Sequence, residues 1–270
     1  MLIGFRGLGL LRGWPFQDPG EADAQIREIA ALIDQGADRD LLDVEVLECE
    51  EAFSAWAAVY DPSVNPLIIA EEPVLRALVE GLEHGVALDL GSGTGRVSSV
   101  LRQLGHDVFS LDGSLSMLLR DAAGEGRSRR ICGDLHALPF ADASFDLVVC
   151  GLSLTHVRRL EGPVSEAGRV VRPGGTVVLT DIHPLAVATG AHAFFAREDG
   201  TPAVTANEVH WPSEYVEACR AAGLRVERLL EPTFDRSLLD RVSEADLKAA
   251  LEVSVVGLPY VLAWLLRRGE

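Results

Sequence analysis

The 270-residue sequence predicts an α/β fold: a doubly wound, mostly parallel seven-stranded sheet with an N-terminal helical extension and a β-hairpin inserted after the fifth strand. Three observations predict it. From residue 86 onward, strand and helix patterns alternate with short connections, as βαβ units do. The strand segments are short apolar runs without polar alternation, as expected for a parallel sheet covered on both faces. The first of them runs into "GSGTGR" (Gly91 to Arg96), a glycine turn that opens a helix. In open α/β sheets this end of the strands is where ligands bind.

The elements follow in order. "MLIGFRGLGLLRGW" is apolar but interrupted by Arg6 and Arg12, and reads as a loosely docked tail rather than a secretory signal. A helix over Glu21–Gln35 has Ile26, Ile29, Ala30 and Ile33 on one face, Asp18-Pro19 as its start and Gly36 as its stop. A second helix is expected from about Leu42 to Ala58, and a third over Glu71–Leu82 with Pro73 in its first turn. The strands are expected at Val86–Leu90, Asp107–Leu111, Arg130–Cys132, Phe145–Cys150 and Thr176–Asp181, with helices near Arg96–Leu104, Ser114–Ala122 and Glu161–Val171. Then the rhythm breaks. Ala193 to Trp211 reads as a hairpin turning at Asp199-Gly200, placed where a lid or substrate wall belongs. A helix over Ser213–Ala222, a strand over Leu224–Leu230, a helix near Ser243–Val253 and a last strand over Tyr260–Leu266 complete the chain. Two domains are expected: residues 1–70 as a helical extension and lid, and residues 71–270 as the sheet domain, with the insertion at about 183–211.

Composition narrows the partners. A net charge of −17, with Lys248 as the one lysine and dispersed arginines, disfavours nucleic acid. No apolar run approaches the ~20 residues of a membrane span. Cys49, Cys132, Cys150 and Cys219 lie far apart with no Cys-x-x-Cys pair, which suits a reducing cytoplasm. A small-molecule partner is expected, and a homodimer is left open.

The glycine turn separates two cofactor classes. A dinucleotide fingerprint is G-x-G-x-x-G, its third glycine letting helix and strand pack closely. Here Gly91, Gly93 and Gly95 are spaced G-x-G-x-G, and the bulky Arg96 stands where the third glycine belongs. An NAD-dependent oxidoreductase is therefore disfavoured.

"ALDLGSGTGR" instead resembles motif I of the class I S-adenosylmethionine-dependent methyltransferases, and further matches follow in order. "VFSLDGSLSML" resembles that family's second strand, where an acid, here Asp112, takes both ribose hydroxyls and a Met, here Met117, lines the adenine. "CGDLHALPFADASFDLVVCGLSLTHV" resembles its third strand, adenine loop and fourth strand, with Asp134 at the adenine amino group. "EAGRVVRPGGTVVLTDIHP" resembles the closing helix–turn–strand, and "FSAWAAVYD" the entry segment folded over the cofactor. The resemblance spans roughly Phe53 to Arg268. It implies a Rossmann-like methyltransferase fold, S-adenosylmethionine as cofactor, and a shell of Tyr60, Asp89, Gly91, Ser92, Gly93, Asp112, Gly113, Met117, Gly133, Asp134, Leu135, Cys150 and His156.

The residues suit that role. Glycines admit close backbone approach, and one carboxylate can accept two hydroxyl hydrogen bonds. Asp89 can act on the cofactor ammonium or cap the turn; Asp112 and Asp134 can bind cofactor or serve as cap and turn residues.

On the acceptor side, "CGLSL" (Cys150 to Leu154) replaces the Asp/Asn-Pro-Pro-aromatic motif of adenine-targeting enzymes. Together with the charge, this points to a methyl group transferred to O, N or C of a small metabolite. An acceptor that must lose a proton needs a base, and histidine suits. His183 after the fifth strand and His210 at the end of the hairpin are the catalytic candidates, each with a plain loop role as the alternative. His84, His106 and His136 read as surface residues. Trp211, Phe194 and Phe195 either wall an apolar substrate or pack the hairpin. Metal binding by Asp181, His183 and His210 matches no ligand spacing. The alternatives to methyl transfer are a non-methylating reaction such as cyclisation and a binding or regulatory role.

Overall fold

A computed structural model describes residues 2–14, 16–36, 44–61, 65–120 and 129–270. The chain forms two compact units, one of Met1–Glu45 with Thr233–Pro259, the other of Val46–Pro232 with Tyr260–Glu270. This division differs from the expected break at residue 70. The segment after Pro232 leaves the sheet unit and returns for the last strand.

The first unit is helical. Residues expected as a loose tail form a helix, Leu2–Gly13, that packs on Ala245–Ser254. Glycine permits the approach: a Cβ at Gly9 would lie 2.7 Å from the Val253 side chain. The Arg12 guanidinium donates to the Ser254 and Val256 carbonyls, which ties the end of this helix to Ala245–Ser254 and the turn after it. Helix Pro19–Asp34 starts as expected, with the Asp18 carboxylate accepting the Gly20 N–H at 2.8 Å.

The second unit contains the seven-stranded sheet: β1 Val86–Leu90, β2 Asp107–Asp112, β3 Arg129–Cys132, β4 Phe145–Gly151, β5 Val171–Ile182, β6 Leu224–Leu230 and β7 Val261–Arg268. Their order is β3-β2-β1-β4-β5-β7-β6. β1 to β5 pair in parallel, and β7 runs antiparallel to both neighbours. The order reverses between β1 and β4, which places the crevice there. One core lies around Leu88, Val148, Val177 and Trp264; on the other face Leu75, Leu101, Leu147 and Val178 pack together.

Two elements start elsewhere than expected. The helix before β1 runs Pro66–Val79, capped by the Asn65 side chain at 2.9 Å with Pro66 at its first position, so Pro73 lies inside it. Of the stretch from Leu42 to Ala58 the structure gives the helix Cys49–Trp56; residues 37–43 lie outside the described residues, as do Asp121 and Ala122 at the end of the expected Ser114–Ala122 helix. The hairpin is present as Ala193–Ala196 and Pro202–Thr205, with Gly200 at φ +84° and the Asp199 carboxylate accepting the Thr201 N–H. It belongs to a three-stranded sheet, and the Leu47 N–H donates to its Val204 carbonyl at 2.8 Å. No helix among the described residues is long and apolar enough to cross a membrane.

Candidate active site

At the carboxyl end of β1 the backbone turns through three left-handed glycines, Gly91 (φ +72°), Gly93 (φ +55°) and Gly95 (φ +87°). The first two are required for different reasons. A Cβ on Gly91 would stand 2.3 Å from Ser153 Oγ, which donates to the Gly91 carbonyl; a Cβ on Gly93 would point into open space. The Gly91 and Ser92 amides both donate to the Leu111 carbonyl, tying the turn to the end of β2.

Asp112, the last residue of β2, locks the turn. One carboxylate oxygen accepts the Gly93 N–H at 2.7 Å and the other the Ser114 N–H at 2.7 Å. Burial pushes its pKa up against those two bonds. Each oxygen keeps lone pairs for a further donor, the arrangement a vicinal diol satisfies.

The turn and Asp112 line a cavity of about 470 Å³, which also takes in Tyr60, Arg96, Gly113, Met117, Gly133, Asp134, Leu135, Ser153 and His156. Eleven of the thirteen expected cofactor residues stand on this wall; Asp89 and Cys150 do not. Asp89 is wholly buried behind the turn, where one oxygen accepts the Ser98 hydroxyl at 2.6 Å. Its other oxygen is buried without a partner, and burial raises its pKa to about 7. The Cys150 thiol is likewise buried, its pKa raised by desolvation. Asp134 lines the cavity, and its exposed carboxylate accepts the His136 N–H at 2.8 Å in a local turn.

A second cavity of about 250 Å³ adjoins the first, and Phe53, Tyr60, Leu152 and His156 line both. Its other walls include Trp56, Asn65, Thr155, His192, Phe194, Phe195, Asn207 and Tyr260. Phe195 stacks on Trp56 with ring centres 4.8 Å apart, pinning the hairpin beside the entry helix. Phe195 is thus wall and packing at once, Phe194 lines the same cavity but is exposed, and Trp211 stands at the surface at the start of helix Pro212–Ala221.

Neither expected catalytic histidine lines these cavities. His183 Nδ1 accepts the Leu185 N–H at 3.1 Å as a helix cap, so Nε2 carries the hydrogen and donates to Glu231 at 3.1 Å. His210 Nε2 donates to the Val157 carbonyl at 2.7 Å. Both are buried structural residues, and Asp181 is occupied with the Tyr215 hydroxyl and the Ile182 amide. His106, read as a surface residue, is buried.

His156 is the histidine at the wall between the cavities. Its ring bonds the backbone at Ala206, and burial holds its pKa down at about 4, so it is neutral. Nδ1 is left buried with no partner. His192 and Asn207, on the second wall, went unremarked in the sequence; their spacing carries no motif.

Arg96 explains the missing third glycine. Its guanidinium pairs with Glu71 at 2.7 Å, and Glu71, fully buried, also accepts the Thr180 hydroxyl at 2.6 Å. The side chain holds a positive charge at the cavity wall.

An adenosyl amino acid with a sulfonium fits this wall. The carboxylate of Asp112 has lone pairs for a diol, Met117 and Leu135 give apolar surface for a base, and Ser92 Oγ is buried without a partner.

The fold and site define a nucleoside-binding α/β enzyme. A family profile described as "Methyltransferase domain" matches residues 88–179. The malonyl-[acyl-carrier protein] O-methyltransferase of Pseudescherichia vulneris is 35% identical over 61% of this chain and 70% of that protein. The demethylmenaquinone methyltransferase of Renibacterium salmoninarum is 35% identical over 54% of this chain and 64% of its own length. The chain spans 53%, 64% and 70% of the length of three such curated relatives. A chain in the complex of the Haloferax volcanii Trm112 methyltransferase activator with a methyltransferase superposes with a TM-score of 0.62 at 24% identity, over 82% of this chain and 97% of that one, a likeness of fold. The chain belongs to the S-adenosylmethionine-dependent methyltransferases, class I.

Proposed function

We propose that the protein transfers a methyl group from S-adenosylmethionine, held in the larger cavity, to a small acceptor held in the smaller one. The observation that carries this reading is the shared wall: Phe53, Tyr60, Leu152 and His156 border both spaces. S-adenosylmethionine, when bound, supplies an electrophilic methyl on a cationic sulfur. The chain's part is to align the two partners and exclude water. Asp112 and the glycine turn fix one partner, and the aromatic walls fix the other. His156 Nδ1, bare and buried, can take the proton that an O–H or N–H acceptor releases.

The relatives' names point to two acceptors, an acyl-carrier-bound malonyl group and demethylmenaquinone; a cavity of about 250 Å³ suits a small molecule or the end of a larger one. The acidic charge argues for an acceptor other than nucleic acid, and the four free thiols support a cytoplasmic setting. A homodimer remains an expectation tested by sedimentation. The experiment that tests the function is incubation with methyl-labelled S-adenosylmethionine and a metabolite library. Label is expected in a small product, with S-adenosylhomocysteine released in equal amount. Turnover of an acceptor without that release would point to a non-methylating reaction instead.

A further inference from the structure

The second cavity has a distinct chemistry. Six aromatic side chains line it, Phe53, Trp56, Tyr60, Phe194, Phe195 and Tyr260, and no Asp, Glu, Lys or Arg does so among the described residues. Burying a charged group here would leave it unpaired, at the desolvation cost of an uncompensated charge. A carboxylate would find no cation, and a cationic acceptor would have no counter-ion while facing a second cation across the wall.

Among the described residues of this wall Trp56 Nε1 stands unpaired as a donor, which a hydroxyl oxygen can meet, and two further unpaired polar atoms are acceptors. Asn207 is about nine-tenths buried. Its amide nitrogen donates to the Ala191 carbonyl at 3.3 Å, which turns Oδ1 away, buried and without a partner. His156 Nδ1 is the second such atom. The two segments that carry them are tied together: the Glu208 N–H donates to the Thr155 carbonyl at 2.7 Å, and the Thr155 hydroxyl to the Glu208 carbonyl. A buried acceptor without a donor is costly, so a ligand that brings hydrogen-bond donors satisfies the site.

Resting on the methyltransferase reading, we infer that the acceptor is an uncharged, planar ring compound that presents a hydroxyl or amine hydrogen to Asn207 Oδ1 and His156 Nδ1. At about 250 Å³ the space is below the ~300–1,000 Å³ of drug-sized sites, which suits one or two fused rings. Flat faces meet the stacked Trp56–Phe195 pair and its neighbours, where ring–ring contact adds to apolar burial.

The test is calorimetric titration of the full chain, saturated with S-adenosylhomocysteine, with 2-naphthol, its methyl ether 2-methoxynaphthalene, and 2-naphthoate. The naphthol should bind about tenfold or more tightly than the ether, which lacks the donor, and than the carboxylate. In Asn207→Leu the advantage over the ether should shrink to about threefold or less, with S-adenosylhomocysteine affinity unchanged as the check on folding. Should that variant not fold, the wild-type comparison decides alone. Naphthoate or the ether binding as tightly as the naphthol would overturn the inference, as would an absence of naphthol binding to the loaded protein or a folded Asn207→Leu that keeps the full preference. Failure of S-adenosylhomocysteine itself to bind would instead sink the reading of the larger cavity.

Discussion

The Gly93 backbone N–H donates to the Asp112 carboxylate at 2.7 Å, so the residue proposed to take the cofactor's hydroxyls also sets the shape of the glycine turn. Asp112→Ala should therefore weaken S-adenosylmethionine binding by about 30-fold or more, since it removes hydroxyl acceptors and releases the turn together. Asp112→Asn keeps one acceptor oxygen and should fall between. Titration calorimetry on both variants checks the order; equal affinities for wild type and Asp112→Ala would refute it.

His183 and His210 should matter for stability and not for transfer. His183→Ala removes a helix cap and the Glu231 contact, a loss of roughly 1–2 kcal/mol, and should lower Tm by about 2–4 °C per kcal/mol. Cofactor affinity and turnover should stay within about twofold of wild type. Loss of turnover at unchanged Tm would return this histidine to the chemistry.

The Arg96–Glu71 pair should behave as a buried ion pair. Glu71→Ala leaves the guanidinium uncompensated and the Thr180 hydroxyl without its acceptor, so a loss of about 3–5 kcal/mol is expected in denaturant unfolding. A shift under about 1 kcal/mol would show that solvent already screens the pair.

Asp89 gives a pH signature. Its folded pKa, raised by burial from the ordinary 3.8 to about 7, means that the folded state binds more protons than the unfolded state between those values. Stability from this group is present below pH ~4 and is lost as pH rises through about 7. Asp89→Asn, neutral throughout, should gain on wild type as pH rises from 5 to 8. Melting curves across that range test the trend, and a pH-independent difference between the two proteins would contradict it.

Much of the cofactor side was legible because it is local in sequence. A strand, a glycine turn and an acid one strand later hold each other through backbone amides, and no distant segment decides where they point. The acceptor side is different. The second cavity, proposed for the acceptor, is assembled from the stretches Phe53 to Tyr60, Asn65 to Leu67, Leu152 to His156 and Ala191 to Phe195, with Ile182, Asn207 and Tyr260, and nothing in their spacing joins them. His183 follows β5 as a catalytic residue would, but its direction is set by Leu185 and the remote Glu231. Asp89 failed as a cavity residue for a related reason: Ser98, on the next helix, draws its carboxylate behind the turn. The helix start at Asn65-Pro66, by contrast, carried a cap signal in the sequence that Pro73 masked.

Whether the wall built by the glycine turn and Asp112 holds S-adenosylmethionine is tested by titrating the purified protein with S-adenosylmethionine and S-adenosylhomocysteine. Saturable one-to-one binding of both is predicted, reduced in Asp112→Ala. No binding of either at millimolar concentration would contradict it.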